Sequence, residues 1–189
     1  MREIGNLFWG SWLAWGVIWV VTWRWSKTNA AQQPPVARIG HLILVTIGSA
    51  CCIASPDPAT VLGRPLYTLT FASLLTAAVV TIAGHAFTVW ARFTLGRNWS
   101  GNVTLKEGHE LVERGPYRFV RHPIYTGLLL ALLGTAAGRN SPLAFLGVLL
   151  VTVGFILKLR EEEKLLTGHF GAGYTDYRQR VKGLIPFVW

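Results

Sequence analysis

The side chains able to do chemistry in this chain gather in two places. One is the polar segment His109 to Tyr125, HELVERGPYRFVRHPIY, with two histidines, two tyrosines and three arginines around the Gly115-Pro116 turn. The other is Lys158 to Lys164, where Arg160 precedes Glu161-Glu162-Glu163. A carboxylate can hold a ligand's ammonium, and a cationic side chain can hold its carboxylate. Pro123 suits the first turn of a helix, so the amides after it form an anion-friendly spot. A polar, sharply turned segment of this kind, wedged between apolar runs, has the composition of a small-molecule site.

Each group also has a plainer reading. The three glutamates are equally what a solvated helix end looks like, and Lys158 and Glu162 are spaced as a simple i,i+4 pair. His122 is a ligand, a base or a polar group at a helix start. His85 lies in or at the end of an apolar run, where an ionisable group is a functional candidate and an interhelical hydrogen bond is the alternative. His41 and His169 carry no signal. No histidines have metal-ligand spacing, no Ser/His/Asp or Cys/His arrangement is present, and the glycines match neither a phosphate loop nor a dinucleotide fingerprint. Adjacent Cys51-Cys52 sit in an apolar run and read as two small buried residues. Asn98-Trp99-Ser100 has the form of a glycosylation sequon but falls on the expected cytosolic side, which discounts it.

The elements that must position these groups are hydrophobic. Of the 189 residues 51% are apolar and only 14% charged, and nine are tryptophan, the residue of membrane interfaces. A net charge of +9 raises nucleic acid as a partner, but the basic residues fall in short segments between apolar runs, so no nucleic acid is expected. Ile4–Trp23 reads as a first span, retained rather than cleaved because no small-residue cleavage site follows it. Arg24–Arg38, with Pro34-Pro35, reads as a polar link. Ile39–Ala54 and Leu66–Trp90 read as the second and third spans. Ile124–Gly138 and Leu143–Leu159 flank the tight Arg139–Pro142 turn, so they form an antiparallel helical hairpin. The fourth span is short and is expected to include His122-Pro123. The tail from Lys158 onward is too charged to span and reads as an amphipathic helical stretch, interrupted at Gly171 and Gly173.

With the N-terminus outside and five spans, the inner segments hold all Lys and Arg residues except Arg2, Arg64 and Arg139. That bias places the 91–125 segment and the tail together in the cytosol.

These residues together resemble the isoprenylcysteine carboxyl methyltransferase family, related to the phospholipid methyltransferases. The likeness lies in GPYRFVRHPIYTG at 115–127 with His109, Leu111 and Val112 upstream, and in Glu162-Glu163-Lys164-Leu165-Leu166, Phe170-Gly171, Tyr174, Tyr177, Val181 and Pro186 downstream. It covers the C-terminal half. The resemblance implies S-adenosyl-L-methionine as cofactor, with contacts at Asn102, His109, Glu110, Leu111, Val112, Tyr117, His122, Pro123, Ile124, Tyr125 and Glu162. Asn102 stands where the family has glutamine. Lys158 stands where it has the arginine that receives a substrate carboxylate. Lysine lacks that residue's bidentate fork, and Arg160 and Arg121 are the other candidates for the role.

The expectation is one all-α, multi-pass integral membrane methyltransferase domain over 1–189. Three spans occupy 1–90, and a cofactor-binding half occupies 91–189. The substrate is lipophilic and enters from the bilayer among membrane lipids, with no metal. Prenylcysteine-like carboxyl methylation leads, and a lipid amine or a small thiol is the alternative acceptor. A nicotinamide-dependent membrane reductase and a non-catalytic membrane protein are the readings of other classes. The topology has a direct test. Cysteines substituted at 64 and 139 should react with an impermeant thiol reagent from outside, while those at 106 and 114 should not; labelling of both sets from one side contradicts it.

Overall fold

The computed structural model describes residues 2–24, 29–32, 35–99, 104–106 and 110–188. Within them the chain runs α1 (Arg2–Trp23), β1 (Asn29–Gln32), α2 (Pro35–Ile53), α3 (Phe71–Leu95), β2 (Thr104–Lys106), α4 (Pro123–Arg139), α5 (Pro142–Phe170) and α6 (Ala172–Arg180). The protein is built of helices, as its composition leads one to expect. A short antiparallel ribbon pairs β1 with β2, Ala31 facing Leu105; its polar, short strands give no alternating signal. Three helices, α1, α3 and α5, are long and apolar enough to cross a membrane, while the apolar part of α2 covers Ile39–Ile53.

Local chemistry sets the helix ends. Thr70 caps α3 through a reciprocal capping box with Ser73, so the helix starts at Phe71 rather than at Leu66. It then runs past Trp90 to Leu95. Pro35 opens α2 and therefore belongs to a helix rather than to a loop. Between α4 and α5, Asn140 takes the left-handed conformation (φ 53°), and Ser141 caps the next helix. The Asn140 side chain also receives the amides of Leu66 and Tyr67 at 3.1 and 3.2 Å, tying the hairpin to the turn before α3.

Two helix pairs, α3 with α4 and α2 with α5, make the bundle. Both pack at backbone distance through small residues, as helices without a hydrophobic driving force between them do. A Cβ on Gly84 would lie 2.5 Å from the backbone of Ala131 and Gly127, and one on Gly48 would lie 2.6 Å from the Gly147 carbonyl. Against α3 sits α1, where Ile4 and Phe8 meet Leu74, Ala77 and Ala78. The Trp15 indole donates to Thr88 Oγ1 at 2.8 Å.

Helix α5 carries on beyond the bundle. Its 29 residues make a rod of about 44 Å, against about 30 Å of hydrocarbon, so the turns after Leu159 project past the apolar layer. Gly171 (φ 55°) ends it, and Gly173 lies within α6 instead of interrupting the tail a second time.

The tail then folds back. Val120 and Lys182 form a parallel bridge. The amides of Arg121 and His122 donate to the carbonyls of Lys182 and Gly183 at 2.8 and 3.0 Å. Glu163 stands beneath this seam with its side chain 10% exposed. It accepts from Arg121 Nε at 2.9 Å and Nη2 at 2.6 Å, and lies 3.1 Å from His122 Nε2. Arg178 Nε from α6 is 3.4 Å from its other oxygen. Arg121 also donates to the carbonyl of Val181. One carboxylate thus joins α5, the segment before α4, and the tail.

Burial alone would raise the Glu163 pKa, but the bonds and charges of His122 and Arg121 outweigh it and hold the carboxyl down to about 2. That lies below the ordinary 4.5, so the ionised group stabilises the fold fully above that value and the contribution is lost as pH falls toward 2. Glu163→Gln should therefore lower stability by about 3 kcal/mol at neutral pH, because it leaves the buried Arg121 guanidinium without its charged partner. Thermal melts of the detergent-purified protein between pH 7 and about 3 should show wild type losing this advantage while the variant changes less; parallel curves would contradict the assignment.

Candidate functional site

The residues singled out from the sequence come together around one cavity of about 220 Å³ beside the seam. Its floor is the start of α4. Pro123 occupies the first helical position and His122 precedes it with a non-helical backbone. Helical bonding begins only with the Thr126 amide, which donates to the His122 carbonyl at 3.1 Å. The amides of Ile124 and Tyr125 are therefore those that a helix start leaves to side chains or ligands. The 3₁₀ turn Gly115–Arg118 supplies one wall. Its Gly115 has φ 59°, and Tyr117 is pinned where the Tyr177 hydroxyl donates to its carbonyl at 2.5 Å.

The opposite wall is α5, whose glutamates part company because successive side chains are about 100° apart. Glu161 faces solvent and pairs with Lys164 at 2.6 Å. Glu163 is the buried hub described above. Glu162 lines the cavity with a third of its side chain exposed. The Tyr125 hydroxyl donates to Glu162 Oε2 at 2.8 Å, and His122 Nδ1 lies 3.9 Å from the same atom. Tyr125 is stacked between His122 (5.6 Å between centroids) and Phe155 (4.9 Å). Lys158, one turn before Glu162, lines the cavity with its ammonium 5.5 Å from the Tyr125 ring centre.

Two tyrosines of the wall stay neutral. Burial first, and then the charge of Glu162, pushes the Tyr117 phenol well above its usual value. Burial, with Glu163 and Glu162, does the same to Tyr174. The Tyr174 hydroxyl, on a side chain only 1% exposed, has no hydrogen-bond partner among the described residues. It is a donor left over in the wall of the cavity.

The cavity therefore gathers Glu110, Leu111, Val112, Tyr117, His122, Pro123, Ile124, Tyr125 and Glu162, together with Lys158 and Arg121. Asn102 and His109 lie outside the described residues. Arg121 touches the cavity, but its guanidinium is taken up by Glu163 and by tail carbonyls. Arg160 is exposed and lines a different groove, on the far side of α5. His85 is also elsewhere, buried in the bundle with its ring 4.4 Å from that of Trp12; neither ring nitrogen has a hydrogen-bond partner among the described residues.

Several lining residues had no signal in the sequence. Trp19 comes from near the end of α1, in a run that is apolar all round. Trp99 follows α3 and is buried under the Arg92 guanidinium at 4.5 Å. Their rings meet edge to face at 5.4 Å, closing the cavity toward the N-terminal helices.

The sequence model of the isoprenylcysteine carboxyl methyltransferase family matches residues 74–168, half of the chain. The stretch runs from α3 through most of α5 and contains His122, Tyr125, Lys158 and Glu162. The chain is 33% identical over 113 residues to a probable protein-S-isoprenylcysteine O-methyltransferase of Oryza sativa subsp. indica, covering 58% of this chain and 59% of that protein. To protein-S-isoprenylcysteine O-methyltransferase B of Arabidopsis thaliana it is 33% identical over 110 residues, 57% and 56% of the two chains. To the Homo sapiens protein-S-isoprenylcysteine O-methyltransferase the identity is 30% over 117 residues, 60% and 41%. The matched part thus spans little more than half of the plant relatives and about two fifths of the human one. With the family match running through the helices that form the cavity, the chain belongs to the isoprenylcysteine carboxyl methyltransferase family.

Proposed function

We propose that this protein transfers a methyl group from S-adenosylmethionine to a lipophilic acceptor held in the membrane, with the carboxylate of a prenylcysteine-like group as the leading acceptor. The observation that carries the reading is Glu162, a carboxylate oriented by the Tyr125 hydroxyl at 2.8 Å in the wall of a cavity lined by aromatic, aliphatic and charged side chains. Its other oxygen accepts no hydrogen bond among the described residues and is open to a ligand's ammonium. The residues fit such a ligand in other respects. The amides of Ile124 and Tyr125 suit a carboxylate. Leu111, Val112 and Tyr117 offer a flat apolar surface for a purine, and the unpartnered Tyr174 hydroxyl can donate to a polar edge.

When bound, S-adenosylmethionine supplies a methyl group on a positively charged sulfur. A carboxylate acceptor is already nucleophilic, so this chain needs no general base and contributes proximity and a dry site instead. Lys158 is the residue we assign to orienting the acceptor's carboxylate, since it reaches the cavity one turn from Glu162 while Arg160 does not and Arg121 is committed to Glu163. Tyr125 and Phe155, stacked beneath Lys158, exclude water from that corner. Lateral entry between helices suits a lipid substrate, and cofactor entry from the cytosolic side suits the site's place beyond the apolar layer.

Glu162→Gln keeps size and hydrogen-bonding atoms but removes the charge. It should weaken S-adenosylmethionine binding by about tenfold or more, since a partly buried charged hydrogen bond is worth about 1.5–3 kcal/mol. Methyl transfer to a farnesylcysteine derivative should fall accordingly, and ligand-free thermal stability should hardly change. Glu161→Gln, whose carboxylate faces solvent, is the control and should be nearly silent. Equilibrium binding that leaves both variants within about twofold of wild type would remove Glu162 from the site.

A further inference from the structure

The groove in which Arg160 lies has no part in this reading, and its chemistry is distinct. It is an open hollow of about 530 Å³ between the end of α5, α6 and the tail, with Arg160, Arg178 and Lys182 on its walls and Thr175 as a neutral hydroxyl. Its one carboxylate, Glu163, is already neutralised by Arg121 and Arg178. Arg160 and Lys182 are exposed and form no ion pair among the described residues. The groove is therefore a site of net positive charge whose cations are not used up by the fold.

Its place relative to the bilayer can be read from α5. Leu146, Leu149, Val153 and Leu157 are exposed and recur every three or four residues, the stripe that a spanning helix turns toward lipid. Arg160 takes the next position on that stripe, just where the apolar length ends. A cation there stands at the level of the phosphates. The far rim of the groove is apolar: Val188 lines it, and Ile185 and Phe187 stand beside Val188 in sequence, Phe187 being 90% exposed. Such side chains are stable next to acyl chains and costly in water.

Cations that face outward below a lipid-facing stripe, next to an exposed apolar rim, define one kind of occupant. We infer that the Arg160–Lys182 groove binds the phosphate headgroup of an anionic phospholipid, with the acyl chains lying along Leu157 and Val188. This rests on α5 crossing the bilayer and is independent of the methyl-transfer reading. Arg178 touches both the groove and Glu163, so the bound lipid would also brace the seam that holds the tail over the cofactor cavity.

The test is native mass spectrometry of the detergent-purified full chain, titrated separately with phosphatidylglycerol and phosphatidylcholine. Wild type should bind phosphatidylglycerol in preference. The double substitution Arg160→Gln/Lys182→Gln, at two exposed side chains, should weaken that binding by about thirtyfold, since each cation near a lipid surface contributes on the order of 1 kcal/mol and about 1.4 kcal/mol is tenfold. Arg97→Gln/Arg114→Gln, at two exposed side chains, makes the same change in net charge away from the groove and should retain wild-type binding. Inorganic phosphate at millimolar concentration should not displace the lipid. Unchanged lipid binding in the Arg160/Lys182 variant, equal loss in the Arg97/Arg114 control, or displacement by inorganic phosphate alone would each overturn the inference. Because no arm depends on turnover, a protein that fails to transfer methyl groups can still pass.

Discussion

The structure depends on one buried carboxylate. Glu163, carried by α5, is the point at which that helix, the segment leading into α4 and the C-terminal tail are joined: Arg121 and His122 reach it from the segment and Arg178 from the tail. A charge removed from water is costly unless it is fully paired, and pairing this one demands that Arg121, His122 and Arg178 all be in place. That requirement fixes the backbone of Arg121 and His122 against the tail, and with it the orientation of the first turn of α4. The amides of Ile124 and Tyr125 that the neighbouring cavity presents inherit their position from that seam.

The three successive glutamates at this helix end are not equivalent. On a helix they point in three directions: Glu161 to water, Glu162 to the cavity and Glu163 to the interior. Arg121 and Lys158 are divided in the same way. Arg121 is consumed by the buried pair, while Lys158 lines the cavity beside the Tyr125 ring. A reading that weighs each charge by its type alone cannot separate the two.

Much of this was legible in the sequence. The apolar runs, the tight turn at Asn140-Ser141 and the position of Pro123 at a helix start follow from composition and local preference, and the structure agrees with them. The polar segment was conspicuous because it interrupts apolar runs. What could not be read is phase and long-range pairing. The sequence does not say which of three identical glutamates faces inward, since that is set by how α5 rotates against α2 and α4. Nor does it say that α5 continues unbroken to Phe170, because a charged helix end and a surface helix share one composition. Trp19 entered the cavity unannounced, because an indole in an apolar span carries no mark of the side it faces.

The central claim is that the cavity beside Glu162 is shaped for S-adenosylmethionine rather than for a nicotinamide cofactor or for no ligand. The most direct measurement is calorimetric titration of the detergent-purified wild-type protein with S-adenosylmethionine and, separately, with NADPH. The account predicts saturable binding of S-adenosylmethionine at one site per chain and no binding of NADPH. Binding of NADPH alone, or of neither, would contradict it.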